Sequence, residues 1–240
     1  MAELAPVPED WDRCLAVVAH PDDLEYGSSC ALARWTAQGK TVVEVLATRG
    51  EAGIDGLEPI ECARVRTAEQ IAGAAAVGVD TVEFLGFADG TLEHGLDLRR
   101  ALARAIRRHR PDVVVTLTFR DQWSTGSPWN HVDHRVLGLA VVDAVRDAGN
   151  RWVFPELIAE GHEPWNGVRF ALAASSPESG HYVDVTDSLE RGIASLRAHQ
   201  AYIGGLDGDF DPASFLRGMT QGIGADVGVG AAVAFELIPT

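Results

Sequence analysis

The residues best suited to chemistry fall in two short clusters. The first, Ala19-His20-Pro21-Asp22-Asp23-Leu24-Glu25, packs a histidine and two adjacent carboxylates into one turn. Carboxylates that close repel each other unless a cation sits between them. His, Asp and Glu are suitable ligands for Zn²⁺, so a metal would remove that cost. Taken alone, the segment reads equally well as an Asp-rich turn with a capping residue ahead of a helix. The second cluster, Asn130-His131-Val132-Asp133-His134, opens with a good N-cap in Asn130 and sets two histidines three apart, on one helical face. Two such clusters, each directly after a strand, favour a metal site over two unrelated polar turns.

Those clusters need elements to hold them. Cys14–Ala19 is short, continuous and apolar, the pattern of a buried strand. Tyr26–Gln38 has helical spacing and stops at Gly39. Strands are predicted at Thr41–Thr48, Thr81–Leu85 and Asp112–Leu117, and helices at Glu61–Val77, Leu96–His109 and His131–Ala148. This alternation implies one α/β domain over residues 1–240, a Rossmann-like, doubly wound, mainly parallel sheet with helices on both faces. The first and fourth strands are central neighbours in many such sheets, so the two clusters would meet beyond the strands' carboxyl ends. The second half is less regular. Strands are expected at Val168–Ala174, His181–Val185 and Val229–Ile238, and a helix at Thr186–Gln200. Eight glycines between Gly204 and Gly230 predict an irregular, loop-like region there.

Composition narrows the function classes. Asp+Glu total 35 against 20 Lys+Arg, a formal net charge of −15. Such a chain repels phosphate backbones and anionic membranes, so neither nucleic acid nor membrane is an expected partner. Three cysteines without C-x-x-C spacing fit a reducing cytoplasm and argue against a thiolate zinc site. The start MAELAPVPEDWDR lacks a basic region followed by an apolar core, so no secretory leader is expected. The first strand leads into His-Pro-Asp-Asp and not a glycine-rich loop, which removes a dinucleotide fingerprint. Asp207-Gly208-Asp209-Phe210-Asp211 starts like a calcium loop but has Pro212 where glycine belongs. Trp123 and Trp129 lie in the loop leading to the second cluster. They suit either packing or stacking on a sugar face.

The AHPDDLE turn and the HVDH helix start resemble the two signature motifs of the PIG-L/LmbE-like metal-dependent N-deacetylases. Arg66-Thr67-Ala68-Glu69 followed by Val77-Gly78-Val79, and Glu83-Phe84-Leu85-Gly86-Phe87-Ala88-Asp89-Gly90, extend the likeness; Tyr182–Val185 and His199-Gln200 are weaker points. The resemblance implies hydrolytic N-deacetylation of an N-acetylglucosamine-type sugar or its conjugate. It implies His20, Asp23 and His134 as ligands of Zn²⁺ or another divalent metal, and Asp22 as general base. His131 would flank the metal with Asp133 behind it, and Arg66 and Asp89 would contact substrate hydroxyls. Trp129 stands where some members carry a tyrosine, and Asn130 and Val132 replace the family's usual Gly and Pro. Gly192 stands where a lysine is common. Family members are often oligomeric, so a homo-oligomer is compatible with the likeness.

In that scheme three protein ligands leave a position open for water, and Asp22 is free to take its proton. His131 would stabilise the oxyanion as an imidazolium, with Asp133 holding it charged against the helix N-terminus. Two alternatives stand beside this reading. A non-haem iron oxygenase shares the 2-His-1-carboxylate pattern, usually on a double-sheet all-β fold. A non-catalytic sugar-binding protein could keep the same fold.

Overall fold

The computed structural model describes residues 4–123, 127–206 and 208–240. Met1–Glu3, Ser124–Gly126 of the loop into the second motif, and Asp207 of the calcium-like stretch lie outside them.

In chain order the elements are β1 (Ala5–Pro6), β2 (Arg13–Val18), α1 (Asp23–Gly27), α2 (Ser29–Ala37), β3 (Thr41–Leu46), α3 (Pro59–Ala76), β4 (Thr81–Phe84), α4 (Leu96–His109) and β5 (Val113–Leu117). They continue as α5 (Val132–Gly149), α6 (Glu156–Ala159), β6 (Phe170–Ala174), β7 (His181–Asp184), α7 (Leu189–Arg197), α8 (Gln200–Gly204), α9 (Pro212–Val227) and β8 (Ala232–Pro239). The strands form one sheet in the order β1-β7-β8-β6-β5-β2-β3-β4. All pairings are parallel except those of β8, which runs antiparallel to both β6 and β7.

The apolar runs explain the layering. Along β2, Cys14, Ala16 and Val18 pack into one core with α2, α7 and the end of α3, while Leu15 and Val17 pack into a second core with α4 and α5. A strand covered on both faces has no use for polar alternation, which is why β2 and β5 read as continuous hydrophobic stretches. Helices therefore flank the sheet on both sides, as the alternation predicts. The double-sheet β architecture expected of the oxygenase alternative is not what the chain adopts.

The expected boundaries shift in three places. The helix expected over Tyr26–Gln38 is two, because Ser28 leaves helical geometry at φ −144°. Capping of α5 falls to His131, whose side chain accepts the N–H of Asp133, and not to Asn130. The largest correction concerns the region 204–230, expected to be irregular. Its centre is α9, capped by Asp211, opened by Pro212 and ended by Gly228 at φ +79°. Its glycines hide the helix from composition, but Leu216, Thr220 and Gly224 recur every four residues and are its buried stripe.

Candidate metal centre and active site

Strands β2 and β5 are hydrogen-bonded neighbours, with Cys14 beside Val113 and Ala16 beside Val115. From β2 the chain winds outward to β3 and β4, then returns to place β5 on the other side of β2. The sheet reverses direction between them, and both motifs emerge at that crevice.

The first turn distributes its groups to different partners. Asp23 Oδ2 accepts the backbone N–H groups of Ala19 (3.0 Å) and His20 (2.8 Å), which tucks the carboxylate under its own turn. Its Oδ1 then faces His134 Nε2 at 3.1 Å. Burial opposes a charge on Asp23, but His134 and His20 hold its pKa well below the ordinary carboxylate value. Asp22 adopts φ +81°, a left-handed conformation that non-glycine residues rarely occupy. Its backbone N–H donates to Gln70 Oε1 at 2.9 Å. Its Oδ2 lies 3.4 Å from Arg66 Nη2 and makes no hydrogen bond. Burial pushes the Asp22 carboxyl up to about 7; Arg66 pulls it down, while Asp23 and Glu25 repel a second charge. A carboxylate that is buried, under-bonded and titrating near neutrality is suited to proton transfer.

Each histidine is fixed by a partner on its far side. His134 Nδ1 meets Asn130 Oδ1 at 3.0 Å. The orientation of that amide is set because Asn130 Nδ2 donates to the carbonyls of Thr118 and Arg120. His134 therefore carries its proton on Nδ1 and presents a bare Nε2. His20 Nε2 is bracketed by Asp89 Oδ1 (3.0 Å) and Asp133 Oδ2 (3.2 Å), which keeps a proton there; burial opposes a charge on the ring, but Asp23, Asp133 and Asp89 raise its pKa, so Nδ1 becomes a bare donor when a cation displaces its proton. Nδ1 of His20 lies 3.2 Å from His134 Nε2 and 3.5 Å from Asp23 Oδ2. Two imidazole lone pairs and a carboxylate thus face one point. The 3.2 Å between the two nitrogens matches donors sitting about 2.0 Å from a common ion, and each nitrogen has one oxygen of Asp23 within 3.5 Å, Oδ2 for His20 and Oδ1 for His134. The carboxylates behind His20 are the usual outer partners of a metal-ligating imidazole, and the Asn130 carbonyl oxygen serves His134 in the same way. The donor set fits a divalent cation. His131 also comes within reach of His20 and His134 as a third nitrogen.

The structure gives Asp133 a different task from the expected one. Asp133 is fully buried, and its carboxylate accepts the N–H groups of Gly90 (2.8 Å) and Leu92 (3.1 Å) while holding His20. It contacts His131 only through its backbone, whose N–H donates to His131 Nδ1 at 3.2 Å. As an acceptor at Nδ1, His131 carries its proton on Nε2. Burial, together with His20 and His134, lowers its pKa, so the neutral form and not the imidazolium is favoured.

Arg66 sits beneath the site and does not pair with Glu69, three residues on. It is buried, donating to the carbonyls of Gly50 (2.9 Å) and Pro21 (2.6 Å) and lying against the Tyr202 ring. Gly50, at φ +65°, is required there because a Cβ would overlap the guanidinium. Glu69 instead accepts the N–H of Ala201 at the start of α8. Asp89 accepts the Ala52 N–H as well as meeting His20. Trp129 is turned away. It is 62% exposed, sits under Arg135, and lines neither cavity beside the site, whereas Trp123 packs on His134 at 5.6 Å. Away from the site, His94 pairs with Asp143 and His109 with Glu83.

Sequence reasoning missed a buried layer beneath the site. Gln70 Nε2 donates to Glu44 Oε2 (2.9 Å) and Glu25 Oε1 (3.3 Å), and His199 Nε2 lies 3.7 Å from Glu25 Oε2. The available signals were Glu44 inside an apolar strand and the four-residue spacing of Cys62, Arg66, Gln70 and Ala74 along α3.

Both clusters, Ala19–Glu25 and Asn130–His134, fall within residues 15–145, which match the family model described as PIG-L, GlcNAc-PI de-N-acetylase. The chain is 30% identical over 199 residues to a diacetylchitobiose deacetylase of Thermococcus kodakarensis, covering 80% of this chain and 70% of that one. It is also 30% identical to a 1D-myo-inositol 2-acetamido-2-deoxy-alpha-D-glucopyranoside deacetylase of Kineococcus radiotolerans, over 80% of this chain and 69% of the other. Among solved structures, the N,N'-diacetylchitobiose deacetylase of Pyrococcus horikoshii superposes with a TM-score of 0.84 at 24% identity, covering 96% of this chain and 85% of its own. It attests the fold.

Proposed function

The chain belongs to the PIG-L, GlcNAc-PI de-N-acetylase family, and we propose from that membership and the site's geometry that it hydrolyses the N-acetyl amide of an N-acetylglucosamine-type sugar or its conjugate, releasing acetate and a free amine. The observation that carries this reading is the convergence of His20 Nδ1, His134 Nε2 and the Asp23 carboxylate on one point, with the under-bonded Asp22 beside it. His20, Asp23 and His134 would hold the metal, with Zn²⁺ the ion best matched to this His/Asp set. When bound, such an ion supplies Lewis-acid polarisation of the amide carbonyl and lowers the pKa of water towards about 7.

The chain's own groups do the rest. Asp22 takes a proton from the attacking water and delivers it to the departing nitrogen, which leaves as the amine; general acid–base work of this kind contributes about 10²–10⁴-fold. The Nε2–H of neutral His131 donates to the carbonyl oxygen as negative charge develops there. A neutral donor suits this place, since burial disfavours the charged form of His131. Asp133 and Asp89 hold His20 in its ligating tautomer, and Asn130 does so for His134. Arg66 and Asp89 line a polar cavity of about 250 Å³ at this centre, together with His131 and Tyr202, where sugar hydroxyls would find donors and acceptors.

Three free, buried cysteines support a reducing, cytoplasmic setting. Among the described residues, no helix is long and apolar enough to cross a membrane. The reading is tested by incubating the purified protein with N-acetylglucosamine and diacetylchitobiose and measuring both products. Equimolar acetate and primary amine are expected. Sugar binding without release of either would return the chain to the class of non-catalytic sugar-binding proteins.

A further inference from the structure

A second cavity opens from the same centre on the side away from Arg66 and Asp89. It shares Asp22, Asp23, His134 and Tyr202 with the polar cavity but is larger, about 580 Å³ against 250 Å³. Its walls are apolar: Tyr26 of α1, Leu117 at the end of β5, Met219 and Ile223 of α9, and Val233 of β8. One edge carries Ser175, Ser176 and Ser179; the Ser176 hydroxyl is already given to Glu236 at 2.6 Å and the Ser179 hydroxyl to the Ser176 carbonyl at 2.7 Å. On the α9 side, Phe215 packs edge-on against Tyr26 with ring centroids 5.4 Å apart and is 38% exposed.

The volume falls in the range that holds a drug-sized ligand. The methyl of an acetyl group would use only a small part of it, and a second hydroxylated sugar would find few partners on these walls. An apolar cavity that begins at the reacting centre is placed to receive a group attached to the reacting molecule. We infer that the substrate carries an apolar substituent next to the scissile amide, an extended alkyl or aromatic group lodged between α9 and β8. It is attached at the amino sugar's anomeric carbon or through its acyl group. The inference rests on the N-deacetylase reading above and adds the substrate class to it. Burying that group contributes binding energy remote from the reacting atoms.

The test uses two substrate series with the wild-type protein. One is N-acyl glucosamine from acetyl to octanoyl. The other is alkyl glycosides of N-acetylglucosamine from methyl to octyl. In one of the two, kcat/KM should rise about three- to fourfold for each added methylene until the cavity fills. The series that rises identifies the point of attachment. Met219→Trp and Ile223→Trp fill the cavity and should remove most of the rise, measured as the ratio of longest to shortest substrate. If either variant does not fold, Met219→Ala lengthens the space and should move the optimum to a longer chain. A flat or falling profile in both series overturns the inference while leaving N-deacetylation intact. A rise that folded tryptophan variants leave untouched also overturns it, since the chain then lies elsewhere. No amine release from any member of either series overturns the deacetylase reading and the inference with it.

Discussion

The side-chain oxygen of Gln70 accepts the backbone N–H of Asp22 at 2.9 Å, fastening the left-handed turn of the proposed base to helix α3. The other end of the same amide donates to Glu44 and Glu25. Gln70→Leu leaves one buried donor and two carboxylate oxygens without this partner, at a cost of about 1–3 kcal/mol for each group left unpaired. Asp22 then loses its anchor, and a misplacement on the order of 1 Å costs up to about 10²-fold in kcat. The expected outcome is a lower melting temperature and a lower kcat with metal content unchanged. Loss of metal together with activity would mean that Gln70 supports the ligands and not the base.

Asp133 should act on the metal through His20. Asp133→Asn weakens the acceptor that keeps the proton on His20 Nε2, and changes at such outer positions cost about 10–100-fold in metal affinity or activity. Competition against a chromogenic chelator measures this directly. A variant with unchanged affinity but reduced turnover would restore the expected pairing of Asp133 with His131.

Glu44 gives a pH dependence of stability. Burial, reinforced by Glu25, raises its pKa well above 4.5, while Gln70 opposes the shift. The folded chain therefore binds a proton that the unfolded chain releases above pH 4.5. In that window the unfolded state holds fewer protons, so this group's contribution falls as pH rises from about 4.5 towards the folded pKa. Glu44→Gln removes the titration and still offers an oxygen to Gln70 Nε2. Urea midpoints across pH 5–8 should fall less steeply with pH in the variant than in the wild type; parallel curves would contradict the assignment.

Gly192 lets α7 close on α2. A Cβ there would overlap Cys30 Sγ and crowd the Cys30 backbone at 3.1 Å. Overpacking costs about 1–3 kcal/mol. The gain of alanine over glycine in a helix, about 1 kcal/mol, offsets only part of it. Gly192→Ala should lower the thermal midpoint without altering KM, and Cys30→Ala in the same chain should restore most of the loss. A lysine at this position would need the two helices to part.

Much of this was legible in the sequence because the relevant signals are local. Buried parallel strands appear as unbroken apolar runs at β2 and β5. His20, Asp23 and His134 have the residue types of a candidate cation site at strand ends, with Asp22 beside them. The layer under the site was less legible because it is assembled from four distant segments. Glu44 and Gln70 read as ordinary residues, and Glu25 and His199 only as members of separate motifs, until the fold brings the four together. Asp133 was assigned to the neighbour nearest in sequence, whereas the start of α5 turns its carboxylate inward to His20. In α9 the glycines outweighed the four-residue stripe that buries it.

The central claim is that His20, Asp23 and His134 hold one divalent ion while Asp22 works beside it without holding it. Metal quantification of the wild type, Asp22→Ala and His134→Ala, each purified without chelator and assayed for amine release, tests both halves at once. The account predicts a single ion per chain in the wild type and in inactive Asp22→Ala, and loss of both ion and activity in His134→Ala. Full activity in Asp22→Ala, or an undiminished metal content in His134→Ala, would contradict it.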